Sequence, residues 1–283
     1  MSLEQENRTE QTTEHDNDQH HTKDEEVSKW EWLLKLYRFS NTWTGTIIIV
    51  LSVIFFIAQA FVIPSGSMKN TLLIGDHLFV KKYAYGVPVP HIPWVDIPVG
   101  FDSDGDGHII KGEGPKRGDI VIFRYPRNEH LHYVKRCVAV GGDTLFIHNK
   151  ELYLHPHEGD DYVIAHYPKD KIVNINGMLF VKNPYRDQFP GIHNDPNVVM
   201  NGLYPVEIFE YGPITVEKDH WFMMGDNRDH SNDSRFWGEV PYRLIVGKPW
   251  FIYFSWDKEY QIRWDRIGRN IETLEREEPR YVE

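Results

Sequence analysis

Two serines lie close together in Ile63-Pro64-Ser65-Gly66-Ser67-Met68. Pro64 fixes its own φ, and Gly66 lets backbone approach another group closely, so the stretch reads as a turn. A serine hydroxyl is a poor nucleophile until a base takes its proton. No Gly-x-Ser-x-Gly elbow is present, and no lysine follows Ser67 by three positions, so two familiar ways of activating a serine are absent. A candidate base lies in His132-Tyr133-Val134-Lys135-Arg136-Cys137-Val138-Ala139-Val140. Read with period 2, Tyr133, Lys135, Cys137 and Ala139 share one face. A lysine in that row is either a gatekeeper on an edge strand or an amine held in an apolar place. Desolvation disfavours the ammonium, and a fall of roughly three pKa units corresponds to about 4 kcal/mol and leaves a base near neutral pH. Spacing alone leaves both readings of Lys135 open, as it does the reading of Ser65 and Ser67 as a polar turn.

The elements that would position these groups follow. Thr44 to Val62 carries no charge and is long enough for a transmembrane helix. Trp30, Leu33, Leu34 and Tyr37 have helical spacing and make an interfacial lead-in, with Trp30, Trp32 and Trp43 suited to the headgroups. Lys29, Lys35 and Arg38 precede the span, while Lys69 alone follows closely, which places the N-terminus in the cytoplasm and the rest outside. Ala58-Gln59-Ala60 has the form of a signal-peptide cleavage site, but a cut there would detach the Ser67 turn from its anchor. Beyond the span the chain reads as strands. His77–Tyr83 is one, and residues 118–125 and 134–140 make a hairpin that carries Lys135. Trp221–Gly225 leads into the polar loop Asp226–Arg235, and Leu244–Trp256 closes the core.

Four blocks carry a resemblance: I-P-S-G-S-M-K-N-T-L-L-I-G-D, P-K-R-G-D-I-V-I-F-R-Y-P, Y-V-K-R-C-V-A-V-G-G-D and M-G-D-N-R-D-H-S-N-D-S-R-F-W-G. In order and content they resemble the type I signal peptidases. The resemblance implies Ser67 as nucleophile and Lys135 as general base. It implies an oxyanion hole from Ser65 and the Ser67 N–H, Ser231 as the residue orienting the lysine, and Asp233 with Arg235 as a supporting pair. Phe61, Ile63, Pro64, Met68 and Val134 are implied to form shallow pockets for small residues before the cut. Asn70 stands where the family often has proline, and Asn232 where a small residue is common. The implied fold is mostly β: a membrane-anchored antiparallel β-sheet catalytic domain with an inserted smaller β lobe, preceded by a single transmembrane helix. The expected organisation is a tail over 1–29, the interfacial segment and span over 30–62, the peptidase domain over 63–258 with the lobe at 149–217, and a charged segment over 259–283. The implied setting is the outer face of the cytoplasmic membrane. The implied partners are preprotein signal peptides, the bilayer and the secretion machinery, and no cofactor is needed for catalysis.

The remaining composition fits. The net charge of −11 is concentrated in residues 1–29, where nine acids face Arg8, Lys23 and Lys29. The rest is only mildly acidic, which argues against a nucleic-acid partner. Cys137 is the only cysteine, so no intrachain disulfide forms. Asp102-Ser103-Asp104-Gly105-Asp106-Gly107-His108, continuing to Glu113, fits a calcium-loop pattern. Asp102, Asp104, Asp106 and Glu113 would supply carboxylates and His108 its carbonyl, for a weak structural calcium that takes no part in catalysis. Two rival readings are a membrane-tethered calcium-binding β module without catalysis, and a self-cleaving Ser/Lys protease acting on Ala58-Gln59-Ala60.

Overall fold

The computed structural model describes residues 31–32, 34–35, 37–52, 58–89 and 105–281. The tail over 1–29 lies outside them. Two compact units divide at Ile54 and Phe55. In the first, α1 (Trp43–Ser52) is apolar on nearly every side, with no acidic or basic residue in its end turns. Among the described residues no helix is long and apolar enough to cross a membrane. The expected span is corrected at its C-terminal end. Ala58–Val62 is a strand, β1, and not the last turns of a helix.

The second unit holds the chemistry. After β1 come β2 (Asp76–Lys81), β3 (Gly86–Pro88), β4 (His108–Lys111), β5 (Ile120–Tyr125) and β6 (Asn128–Val140). There follow β7 (Thr144–His148), β8 (Glu151–His155), α2 (Asp160–His166), β9 (Ile172–Ile175), β10 (Met178–Lys182) and β11 (Glu210–Thr215). The chain ends with β12 (His220–Met224), α3 (Ser234–Trp237), β13 (Val240–Pro241), β14 (Ile245–Ser255) and α4 (Ile271–Leu274). A seven-stranded sheet has the order β1-β2-β14-β5-β6-β12-β13, a five-stranded one β11-β7-β8-β10-β9, and β3 pairs with β4. All these pairings are antiparallel.

β1 exists because its backbone completes the edge of β2, with Phe61 opposite Leu78 and Val62 opposite His77. That ladder satisfies peptide groups an isolated extended segment would leave to water. It also puts Gln59 and Ala60 within a paired strand, so the cleavage-site pattern sits in ordered sheet. β5 and β6 turn over at Pro126 and Arg127, since Tyr125 already pairs with Asn128. The hairpin is therefore tighter and its second strand longer than the pattern over 134–140 suggests.

The period-2 face holds through Cys137 and then breaks. A β-bulge sets Cys137 and Ala139 opposite the consecutive residues Met223 and Phe222. Cys137 packs with Trp221, Met223 and Trp237, while Ala139 packs in a different cluster with Leu145 and Phe222. One extra residue on a bulged strand moves everything beyond it to the other face.

The five-stranded sheet spans residues 144–215 and includes β7, which a lobe beginning at 149 leaves out. A boundary at 258 is also corrected. Ile271 packs into the cluster that holds Ile63, Met68 and Leu72, and Arg266 donates to Asp76 at 3.0 Å through Nε and 2.6 Å through Nη2. The charged segment is part of the same body, because its few apolar and arginine side chains find buried partners there.

Candidate active site

The serine turn is held from below by apolar burial and from the sides by backbone. Ile63 exchanges hydrogen bonds with the β2 entrance, its N–H donating to Asp76 O and its carbonyl accepting from Gly75 N. Ser65 is extended, with φ −133° and ψ 155°, and Gly66–Met68 makes one 3-10 turn closed by Lys69 N–H on Gly66 O at 3.0 Å. Met68 has no exposed surface and anchors that turn in the core beside Leu72 and Leu78. Asn70 has φ 73°, a left-handed conformation that asparagine tolerates and proline cannot adopt. Asparagine at this position therefore goes with a local backbone that proline would not permit.

Lys135 reaches the turn from β6. Its Nζ donates to Ser67 Oγ at 2.6 Å and to Val134 O at 2.9 Å. Sixty-eight residues apart in sequence, the two groups are in hydrogen-bond contact. The side chain is only 4% exposed. Burial pushes its pKa down to about 8, opposed by the charges of Asp233 and Asp226. Neither carboxylate bonds the amine. Asp226 receives Arg136 Nε and Nη2, each at 2.8 Å, and Thr71 Oγ1 at 2.6 Å. Asp233 receives Arg235 Nε and Nη2, each at 2.8 Å, caps α3 through Arg235 N–H, and accepts Gly225 N–H at 3.1 Å. For both acids burial resists ionisation, yet the paired arginine holds the carboxyl below the usual range. Each anion near Lys135 is thus already neutralised, which leaves desolvation in control.

Of the other residues the sequence points to, Ser65 Oγ lies 3.4 Å from Ser67 Oγ. Pro64, Ser65, Gly66, Ser67, Val134 and Lys135 line an open cleft of about 480 Å³, joined by Tyr133, His132, Asn227, His230 and Asn232. Phe61 stands behind His132, ring to ring at 5.2 Å. Ile63 and Met68 are corrected: they are buried core and do not line the cleft. Ser231 is also corrected. Among the described residues its buried Oγ makes no hydrogen bond of normal geometry, to Lys135 or otherwise, although it is close enough to Asp233 to favour that carboxylate.

The calcium pattern is only partly within the described residues, since Asp102 and Asp104 lie outside them. Asp106 Oδ1 accepts its own loop's His108 N–H at 2.9 Å. The His108 ring stacks on Tyr242 at 4.2 Å, and Glu113 pairs with Lys116 at 3.3 Å. Among the described residues one group of acids and histidine clusters closely enough for a cation, Asp143, His157 and Glu158. The Arg117 guanidinium occupies its centre, bonding all three side chains.

Sequence reasoning missed three residues that shape the site. Asn227 donates from its backbone to Ser67 O and from its side chain to Gly66 O, each at 3.1 Å. Arg136, with Asp226, ties the strand of Lys135 to the loop of Asn227. Gly225 has room for nothing more than hydrogen, because a Cβ there would lie 2.5 Å from Ser67 O and 2.3 Å from Ser231 Oγ. All three fall inside the quoted blocks, but no local pattern shows what they touch.

Residues 36–256 match the family model described as signal peptidase, peptidase S26. A signal peptidase I of Helicobacter pylori strain J99 is 43% identical over 281 residues, covering 87% of this chain and 97% of that protein. A signal peptidase I of Pseudomonas aeruginosa is 33% identical over 242 residues, covering 78% of this chain and 73% of its own. A crystal structure of a signal peptidase I from Enterococcus faecalis V583 matches at a TM-score of 0.30 and 26% identity, covering 48% of this chain and 97% of that one.

Proposed function

Because the chain belongs to the signal peptidase family, peptidase S26, and is a serine peptidase that removes signal peptides from preproteins, we propose that Ser67 is its nucleophile and Lys135 its general base. The observation that carries this is the 2.6 Å contact between Nζ and Oγ in a site where, among the described residues, no carboxylate bonds the amine. With a pKa of about 8, Lys135 is neutral in roughly one molecule in ten at pH 7, enough to serve as a base. Neutral Nζ takes the Ser67 proton as Oγ adds to the scissile carbonyl. The Ser65 hydroxyl and the Ser67 N–H receive the oxyanion. The Lys135 ammonium then gives its proton to the leaving amine, and water, deprotonated by the regenerated Lys135 Nζ, hydrolyses the acyl-enzyme.

The cleft supports cutting after small residues. Pro64, Tyr133 and Val134 bring apolar surface to its wall, and an alanine side chain fits against such a wall where a larger one meets the core behind it. The apolar segment before β1 anchors the enzyme, with the N-terminus in the cytoplasm and the sheet domain on the outer face.

The test is processing of a model preprotein by the full chain in membranes freed of host peptidase. Ser67→Ala and Lys135→Ala should each lower kcat/KM by about 10³-fold or more while the folded state is kept. Substantial activity in either variant refutes the dyad. Alkaline washing should leave activity in the membrane pellet; release into the supernatant removes the anchor.

A further inference from the structure

We infer that Asn227 is a positioning residue that aims the oxyanion-hole N–H of Ser67, by holding the far end of the same peptide group. The inference rests on the reading of Ser67 as nucleophile. A peptide unit is planar and trans, so the Gly66 carbonyl and the Ser67 N–H are rigidly opposed. Whatever fixes Gly66 O fixes the direction of Ser67 N–H. Two donors do so: Lys69 N–H at 3.0 Å, within the 3-10 turn, and Asn227 Nδ2 at 3.1 Å, from across the site. Both lone pairs of the carbonyl are engaged. Donation into a carbonyl also polarises its amide, which makes the opposite N–H a better donor.

The next peptide is held by the same residue, since Asn227 N–H donates to Ser67 O at 3.1 Å. The two amide groups flanking the Ser67 Cα therefore both rest on Asn227. The side-chain orientation is dictated chemically, because the atom facing Gly66 O must be a donor. Asn227 is 6% exposed, and its Oδ1 has no hydrogen-bond partner among the described residues. An unsatisfied buried acceptor is costly. An asparagine there, despite that cost, fits a residue needed for what its NH₂ does. Its own place is fixed in turn. Asp226, one residue earlier, is clamped by Arg136 and Thr71, so the donor cannot drift relative to β6 or to the serine turn.

The experiment uses the purified full chain in detergent, a model preprotein, and a peptide aldehyde ending in alanine. Ser67 Oγ adds to the aldehyde carbon and its proton passes to Lys135 Nζ, leaving an alkoxide where the oxyanion forms. Asn227→Leu keeps the branched shape and removes the donor; Asn227→Ala removes both, and each retains the backbone bond to Ser67 O. Expected in both is a fall in kcat of about 10- to 100-fold with KM within about threefold. The affinity for the aldehyde should fall by the same factor as kcat/KM. The pH midpoint of kcat/KM, which reports Lys135, should stay put. Activity within threefold of the parent overturns the inference, as does unchanged aldehyde affinity when kcat falls. Loss of the folded state in both variants makes Asn227 structural and equally overturns it. Ser67→Ala run alongside separates the two failures: if it stays active the dyad itself is wrong, and if it is inactive while Asn227→Leu is active only the positioning role is lost.

Discussion

Lys135 and Arg136 are adjacent cations on one strand, both buried, and they differ in what meets them. The Arg136 guanidinium, wholly inaccessible, is bonded by Asp226, Glu275 and the Gly118 carbonyl. Burial alone would lower its pKa, but those carboxylates raise it above the ordinary arginine value. Lys135 points to the opposite face and meets a hydroxyl, a carbonyl and the Tyr133 ring 5.3 Å away. With no carboxylate among the described residues bonded to it, burial lowers its pKa. The same strand and the same burial make a permanent brace on one side and a titratable base on the other. The difference is the supply of paired anions, not depth.

Breaking the brace should have the largest effect on stability. Asp226→Ala strips Arg136 of its bidentate partner and leaves a buried charge served by Glu275 alone. The expected loss is about 3–5 kcal/mol in denaturant unfolding, far above the effect of cutting an exposed pair such as Arg243 with Glu129. A loss under about 1 kcal/mol removes the brace.

The base should show the opposite sign. Lys135→Met removes an ammonium that the fold buries without an anion, so the variant should be more stable at pH 7. The folded pKa of about 8 lies below the unfolded value of 10.5. Below about 8 the amine is charged in both states and the full cost is present. Between about 8 and 10.5 the unfolded chain binds the extra proton, so the parent regains stability as pH rises. The expected gain of the variant is about 3 kcal/mol at pH 7, fading towards pH 10.5. Paired unfolding curves across that range check it, and a gain that does not shrink with rising pH contradicts it.

The comparison sharpens if Lys135 is given an anion. Asn232 lines the same cleft. Asn232→Asp should raise the pH midpoint of kcat/KM from about 8 by up to roughly one unit, the smallest of these effects. A midpoint that moves down, or not at all, shows that a charge at 232 is screened from the amine.

Much of the site was legible because it is local. Pro64 and Gly66 mark the turn, the alternation around Lys135 marks a strand, and the four blocks carry the family resemblance. What touches Lys135 was not legible. The family resemblance implies Ser231 as its partner, yet its hydroxyl makes no hydrogen bond to the amine. Ile63 and Met68 looked like pocket walls, yet their apolar character serves the core. Apolarity suits both roles, and a sequence carries no sign of which side of a turn faces solvent. The pattern over β1 suits a helix for a related reason: a run of apolar residues does not say whether its backbone bonds close within itself or onto a neighbour such as β2.

By itself the sequence determined the serine turn, the alternating strands and the blocks that carry the family resemblance, since these depend on residue type and short-range pattern. The tertiary structure decided the rest. Only folding brings Nζ within 2.6 Å of an oxygen 68 residues away, assigns Asp226 and Asp233 to arginines so that the amine stays unpaired, and sets Asn227 against the Gly66 carbonyl. Proton affinity depends on what surrounds a group once water is gone, and that environment is assembled from residues distant in the chain.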